Sequence, residues 1–519
     1  MSFRFHDFRL KLKTLHLKLS HHRTTSQALF LLLFLFLFIQ TQSKGFDTLG
    51  YPVRVFLDFD PLILVSTFLA GHAVAKAMLL ALATIVLTVA LGRVFCGWIC
   101  PLGTLNNLVG AVPMRRKAAP AGLYRLKYYL LVVLLAGSVF GLQASGIFDP
   151  ISILIRSLTL SLYPLFNRVL VALLSGIDAV GGAGFTAGVY ENLRGGVLAF
   201  NPPYYLQSVF IGLILLAILL ANLIQKRFWC RYLCPLGALL GILSRFSILG
   251  VKVSEDCTVC GACAAHCQAD AITDGGQGRR SSECLVCFDC DDPCPNRAVG
   301  FGRLSRRAPL NLPRRGLVTS LASGVLLAPF LRLSPPVSNP LLIRPPGALP
   351  EPEFLKRCVK CGECMKVCLT GGLQPTLLEA GLEGVWTPRL VPRIGYCEYH
   401  CTLCGQVCPT GAIERLMRED KVKVVIGLAV IDKSRCLPHS HARACIVCQE
   451  VCPTSPKAVW LEDVVVKDRE GTPIHLKQPH VDLQRCIGCG ICEKVCPVSD
   501  KPAIYITSLG ESRSTENQL

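Results

Sequence analysis

The sequence has no C-x-x-C-H motif, so covalently attached c-type haem is not expected. It also lacks a Walker A motif and a dinucleotide glycine fingerprint at the head of a plausible helix, so nothing supports a nucleotide site. Charge is scarce, at 17% of residues, and acids are the rarer sign, with 35 Asp and Glu against 54 Lys and Arg. Disorder is excluded all the same, because disordered chains are poor in apolar residues and this one is 51% hydrophobic with a mean hydropathy of +0.46. What is plentiful is cysteine, 28 in 519 residues. The cysteines fall in tight repeated clusters that suit metal ligation, not the disulfide scaffold of a short secreted chain. The length suggests about three or four units, and several apolar runs are long enough to cross a bilayer, which argues against a purely soluble protein.

The first 26 residues carry Arg4, Arg9, Lys11, Lys13, Lys18 and Arg23 against a single acid, Asp7, and lead into a nearly pure Leu/Phe run at 28–40. This reads as a basic cytoplasmic segment before a short first span. A cleaved signal peptide is the rival reading, but no A-x-A-like site follows in Thr41, Gln42, Ser43 and Lys44. The run 61–92 exceeds the ~20 residues a span needs, so it is expected to start in the interface or bend at Gly71. Further spans are expected at 128–146 and 204–224, with a fifth candidate at 316–333. Between the third and fourth, 147–203 is mixed and rich in Gly and Pro and reads as an exposed loop with interfacial helices.

The expected fold is an α-helical polytopic membrane domain of four or five spans joined to α+β bacterial ferredoxin-like modules. The expected divisions are a basic segment 1–26, a membrane domain 27–250, a two-cluster ferredoxin domain 251–303, an anchor and linker 304–352, and a four-cluster domain 353–519. Arg115, Arg116, Lys117, Lys226, Arg227, Arg279, Arg280, Arg306, Arg307, Arg314 and Arg315 all occupy loops that the span count puts inside. The positive charge is therefore a topology signal, the contact it implies is with membrane lipid, and no nucleic acid is expected. Five crossings from an inside N terminus leave 353–519 outside. If the fifth segment, only 18 residues with Pro329 inside it, does not cross, all the clusters share one face.

Six quartets account for 24 of the cysteines. Cys257, Cys260, Cys263, Cys267 and Cys284, Cys287, Cys290, Cys294 both have the ferredoxin spacing C-x2-C-x2-C-x3-C, in which three close cysteines bind one cubane and the fourth reaches the other. That assigns Cys257, Cys260, Cys263 and Cys294 to one [4Fe-4S] cluster, and Cys284, Cys287, Cys290 and Cys267 to its partner. Cys358, Cys361, Cys364, Cys368 and Cys486, Cys489, Cys492, Cys496 repeat the spacing. Cys397, Cys401, Cys404, Cys408 opens with three intervening residues, and Cys436, Cys445, Cys448, Cys452 opens with eight. Zinc also favours four thiolates, but zinc sites rarely repeat six times at this spacing with a proline after the last cysteine, as at Pro295 and Pro497.

The other four cysteines form a second motif, C-x3-C-P. FCGWICPLG at 95–103 is echoed by FWCRYLCPLG at 228–237, each after a span that ends on the cytoplasmic side. If the halves pack together, Cys96, Cys100, Cys230 and Cys234 converge. They then hold a seventh cluster, act as a dithiol relay, or serve structure alone.

These paired segments, with the two-cluster module after them, resemble the membrane quinol dehydrogenase subunit of periplasmic nitrate reductase systems over 29–303. From Arg314 on, the arginine pair, apolar segment and four cysteine groups resemble the partner iron-sulfur subunit outside the membrane, and related pairs accompany methylamine dehydrogenase. The chain thus resembles a fusion of the two. The resemblance implies a bacterial inner-membrane protein that carries electrons from the quinone pool, with quinol as substrate, to an extracytoplasmic oxidoreductase or cytochrome. It also implies that the last four motifs pair first with fourth and second with third.

Asp149, in a recurring outer-side segment with Arg156, is a candidate proton acceptor for the quinol, with a helix cap as the plainer reading. His72 and Lys76 are candidates as ionisable residues in an apolar stretch, or mark an interfacial bend. Arg314 and Arg315 fit a loose twin-arginine signal or ordinary anchoring. The spans offer no evident carrier across the ~30 Å hydrocarbon core, so the inner and outer clusters are not expected to form one wire. Two other classes stay open: an assembly factor for a redox enzyme, and a cytoplasmic wire between soluble carriers and quinone.

Overall fold

The computed structural model describes residues 3–42, 47, 49–112, 122–179, 183–193, 196–199, 203–296, 298–303, 310–332, 339–467 and 470–514. Arg115, Arg116, Lys117, Arg306 and Arg307 lie outside that set, as do the side chains before His22. The chain forms two compact units. The first comprises Met1–Phe38, Val53–Ser157 and Phe210–Pro329, and the second Ile39–Pro52, Leu158–Val209 and Phe330–Leu519.

Among the described residues, two helices are long and apolar enough to cross a membrane, His22–Gln40 and Pro150–Ile177. Pro61–Gly71, Lys76–Leu91, Ser208–Ile224 and Pro235–Ser244 are apolar but shorter. The long run 61–92 does break at Gly71: His72 caps the first helix in the left-handed region, at φ 48°, and a 3-10 turn, Lys76–Leu80, precedes Ala81–Leu91.

The region 147–203, expected as an exposed loop with interfacial helices, contains one long apolar helix of 28 residues, Pro150–Ile177. Its two prolines do not break it. Pro150 takes the first helical position, where a missing N–H costs nothing, and Asp149 accepts a hydrogen bond from Ser152 N at 2.7 Å. Pro164 follows the widened π turn Leu158–Leu162, where the regular ladder is already interrupted.

In the first unit, Arg314–Arg332 packs on Leu126–Val139 through glycine. A Cβ on Gly324 would lie 2.6 Å from the Val133 carbonyl oxygen, so only glycine permits the approach. The two-cluster segment is framed by Leu249–Val253 paired antiparallel with Val299–Arg303, and by the shorter pair Ile272–Thr273 and Gly278–Arg279. The second unit repeats this plan with Leu373–Pro375 against Pro388–Leu390 and Leu428–Ile431 against Ile504–Thr507. It adds a long hairpin, Val459–Lys467 with Pro473–Val481. Asp47, just past the first long helix, accepts from Thr402 N at 2.7 Å and pairs with Arg418, which ties that segment to the second unit's cysteine core.

Candidate iron-sulfur centres

The four regularly spaced motifs share one backbone form. The residues on either side of the second cysteine have positive φ: Val259 and Gly261, Val286 and Phe288, Lys360 and Gly362, Gly488 and Gly490. A β-branched or bulky residue adopts this conformation only when its surroundings impose it. Alternating hands turn successive N–H groups and thiols toward a common point, as anion-binding nests do. In three of the four the third cysteine then enters a short helix, Cys263 in Ala262–His266, Cys364 in Glu363–Lys366 and Cys492 in Ile491–Lys494, while Cys290 enters a turn.

The thiols gather around cavities, each lined by three cysteines of one motif and the last cysteine of another. Cys284, Cys287 and Cys290 meet Cys267. Cys358, Cys361 and Cys364 meet Cys408, and Cys397, Cys401 and Cys404 meet Cys368. Cys436, Cys445 and Cys448 meet Cys496. Electrostatic neighbours complete the series: Cys263 is within reach of Cys294, and Cys486, Cys489 and Cys492 of Cys452. In 251–303 this is the arrangement that the ferredoxin spacing gives. In the second unit it differs from the one the resemblance implies, since the structure brings together the first motif with the second and the third with the fourth. The reason is packing: the helices Glu363–Lys366 and Leu403–Val407 lie against each other, as do Val447–Glu450 and Ile491–Lys494.

These sites fit [4Fe-4S] clusters. The thiols ring cavities lined by apolar side chains such as Leu373, Leu390 and Ile426. Burial pushes Cys358 up to about 11 and Cys401 to about 12, with neighbouring thiols adding to the shift, so four thiolates at one cavity need bound positive charge. Backbone N–H groups reach the sulfurs: Ala271 N to Cys267 Sγ at 3.3 Å, Ala298 N to Cys294 at 3.2 Å, Ile413 N to Cys408, Ala429 N to Cys486 and Ala503 N to Cys496, each at 3.4 Å. Such bonds raise the reduction potential of a thiolate-held cluster.

The C-x3-C-P motifs also converge. Each copy is a π turn, Phe95–Ile99 or Trp229–Leu233, followed by a helix whose cap is the second cysteine: Gly103 N donates to Cys100 Sγ at 3.4 Å and Gly237 N to Cys234 Sγ at 3.2 Å. Cys96, Cys100, Cys230 and Cys234 are all mutual electrostatic neighbours. Arg93 and Arg227 lie beside them, and Arg227 donates to the Cys96 carbonyl at 3.2 Å. The thiol group abuts the two-cluster segment, where Trp98 Nε1 donates to the Val286 carbonyl at 3.0 Å and Arg93 to that of Ser282 at 3.0 Å.

Sequence reasoning overlooked the network joining these two places. Glu283, beside Cys284, is buried with Arg93, Lys127 and Tyr128. Its carboxylate accepts from Tyr128 at 2.7 Å, lies 3.4 Å from Arg93 NH1 and pairs closely with Lys127 Nζ. Asp60 was also missed. It is fully buried, caps Pro61–Gly71 by accepting from Leu62 N at 2.7 Å, and neighbours the Asp149 carboxyl. The signal was present: Phe59, Asp60, Pro61 and Phe148, Asp149, Pro150 are the same tripeptide heading each half, ahead of its C-x3-C-P motif. Asp149 lies within electrostatic reach of Cys100, so the pair and the thiols are neighbours rather than features of opposite faces. Arg156 holds the turn before Asp149, donating to the Gly146 and Ile147 carbonyls at 3.3 and 3.2 Å. His72 and Lys76 lie exposed at the helix break.

A site of this kind defines a multi-cluster ferredoxin-type protein, and the comparisons agree. A 4Fe-4S binding domain family matches residues 76–119 and 207–253, one match over each C-x3-C-P motif, and a second 4Fe-4S binding domain family matches 477–498. The chain is 38% identical over 122 residues to the methylamine utilization ferredoxin-type protein MauM of Paracoccus denitrificans (strain Pd 1222), covering 23% of this chain and 53% of that protein. It is 29% identical over 219 residues to the methylamine utilization ferredoxin-type protein MauN of Methylorubrum extorquens, covering 40% and 59%. It is 39% identical over 97 residues to the ferredoxin-type protein NapG of Escherichia coli (strain K12), covering 18% and 41%. The chain thus spans about half the length of the curated relatives it matches. No solved structure matches it. The chain is thus similar to the ferredoxin-type proteins MauM, MauN and NapG and carries 4Fe-4S binding domains.

Proposed function

We propose that the chain is a membrane-bound polyferredoxin that transfers electrons between the quinone pool and an extracytoplasmic oxidoreductase or cytochrome. The observation that carries this reading is the set of cavities each ringed by four thiols, three from one motif and one from another. In this reading 24 cysteines hold six [4Fe-4S] clusters, and Cys96, Cys100, Cys230 and Cys234 hold a seventh, supported by their convergence and by the two family matches that cover them. A bound cluster supplies a one-electron carrier.

Quinol oxidation also releases two protons, and the neighbouring buried carboxyls Asp60 and Asp149, near Cys100, are suited to accept one. Arg156 holds Asp149 in place. The membrane domain, 27–250, crosses the bilayer with the two long helices and shorter apolar ones, the segment 251–303 faces the cytoplasm, and 353–519 lies outside. The specific acceptor is a protein rather than a small molecule, in keeping with the resemblance to dehydrogenase and reductase companions.

Paired reporters fused after Leu519, one active only inside and one only outside, test on which side the last four thiol sets deliver electrons. Activity outside supports delivery to an extracytoplasmic partner. Activity inside would overturn it in favour of a cytoplasmic wire, which the direct packing of the C-x3-C-P thiols on the two-cluster segment would serve. Asp149→Asn is expected to slow quinol-driven reduction of the clusters at least tenfold while dithionite still reduces them fully, a loss of the size general-base removal produces.

A further inference from the structure

The electron-transfer reading leaves open where electrons leave the second unit, and the following rests on that reading. The four thiol sets of this unit lie in a row. Cys364 is within reach of Cys404, Cys397 N donates to the Cys489 carbonyl at 2.8 Å, and Cys492 is within reach of Cys448. The row therefore has two ends, and they differ in kind. At one end Cys358, Cys361 and Cys364 are buried, Tyr205 OH donates to the Met365 carbonyl at 3.1 Å, and Lys366 Nζ sits 4.0 Å over the Tyr163 ring. The turn Leu158–Leu162 of the long apolar helix packs on the same motif. That end is covered by the unit's own apolar segments.

At the other end Cys445, Cys448 and Cys496 are half-buried. The eight residues between Cys436 and Cys445 set this motif apart in the sequence, and Leu437 and Pro438 among them line the same cavity. The first turn of the eight, Leu437–Ser440, is seated on Pro473–Val481: Gln478 Nε2 donates to the Pro438 carbonyl at 3.2 Å and His439 Nε2 lies 3.1 Å from that of Pro479. Ala442 then turns left-handed, at φ 48°, and lifts His441 and Arg443 into solvent beside exposed Lys433 and Ile446. From 433 to 449 the chain carries Lys433, Arg435, Arg443 and two histidines and not one acid. Arg435 is engaged by Asp500 at 3.2 Å, Asp432 faces Arg435 and Lys501, and Glu450 follows the segment, which leaves Lys433 and Arg443 as its outward cations.

We infer that this cationic rim around Cys436, Cys445, Cys448 and Cys496 is the electron exit, and that it docks a redox protein with an acidic face around its own cofactor. One electron leaves the reduced chain, the partner gains it, and no proton moves. An excess of outward cations raises the encounter rate of an oppositely charged partner, and salt removes the gain.

The test uses the full, cluster-loaded chain reduced by dithionite, then mixed with the ferricyanide trianion or the hexaammineruthenium(III) cation as one-electron oxidant. With Lys433→Glu and Arg443→Glu combined, ferricyanide oxidation is expected to slow about tenfold at low ionic strength and hexaammineruthenium oxidation to quicken, with both differences gone near ~0.5 M salt. Binding of the redox-inert hexacyanocobaltate(III) trianion to the unreduced protein, followed by calorimetry, should weaken in the same variant. Lys423→Glu, an exposed reversal next to Asp420 in the turn whose Lys421 bonds to the Glu398 and Tyr399 carbonyls beside Cys397 and Cys401, should change neither readout. Unchanged rates and unchanged anion binding in the double reversal, or an equal loss in Lys423→Glu, would overturn the assignment. Because dithionite replaces quinol as the reductant, a failure of the quinol reading leaves this result untouched.

Discussion

Glu283 offers the sharpest test of the packing that joins the C-x3-C-P thiols to the two-cluster segment. Its carboxylate is the shared counter-charge of two fully buried cations, with Arg93 NH1 at 3.4 Å and Lys127 closer still. At an effective dielectric of ~20, a pair at that separation is worth roughly 5 kcal/mol, set against the loss of hydration of both ions. Glu283→Gln keeps the shape and the bond to Tyr128 but leaves the cations facing each other, so it should destabilise this segment by about 3–5 kcal/mol. Adding Lys127→Met removes one of the stranded charges and should recover part of that loss. Hydrogen exchange by mass spectrometry reads the effect locally. Peptides from 249–303 should exchange faster in the single variant and slow again in the double, while those from 353–514 stay unchanged. A single variant that exchanges like the parent, or a double that is worse than the single, would refute the reasoning.

Other consequences are as direct. If the last cysteine of each motif serves its neighbour, Cys408→Ser removes the same electron paramagnetic resonance signal as Cys358→Ser; a match to Cys397→Ser instead would restore pairing within one motif. If the four C-x3-C-P thiols share one cluster, Cys100→Ser and Cys234→Ser each lower the iron content from about 28 to about 24 atoms per chain and abolish a common signal; iron near 24 in the parent would mean these thiols hold none. Glu351 is partly enclosed, which raises its pKa, but Arg344 and Arg513, at 3.0 Å, outweigh that and hold it below its usual 4.5. Its contribution is therefore complete above about pH 4.5 and fades as the pH falls through the lower folded value. Glu351→Gln should remove about 1–2 kcal/mol at neutral pH and flatten the acid limb of unfolding for the second unit, whereas a parallel downward shift of the whole curve would place the effect elsewhere.

How far the sequence could be read depended on whether a feature was local. The spacing C-x2-C-x2-C fixes which three thiols stand together, because the intervening residues can only wind one way, and Val259 and Val286 accept strained backbone to do so. The partner of the fourth cysteine is settled by which one-turn helices pack on each other, and spacing carries no trace of that. The helix Pro150–Ile177 was hidden by its own composition. Pro150 and Pro164 look like breakers until a helix start and a π turn accommodate them, and the glycines after Ile177 made the stretch read as a loop with short interfacial helices rather than one long helix. Glu283 was unreadable for another reason, since a lone acid before a cysteine gives no sign that it will be buried between cations from other helices. Asp60 was legible, for the repeated Phe-Asp-Pro tripeptide pairs it with Asp149 in the amino-acid order alone.

The central claim is that quinol electrons enter the thiol-held clusters of this chain. Mixing the purified full chain, clusters oxidised, with duroquinol under strict anaerobiosis and following the reduced-cluster electron paramagnetic resonance signal tests it directly. The account predicts that the signal rises, and that Asp149→Asn slows the rise while leaving the dithionite-reduced spectrum intact. Clusters that dithionite reduces but that stay oxidised under excess duroquinol and under native quinols extracted with the membrane would contradict it.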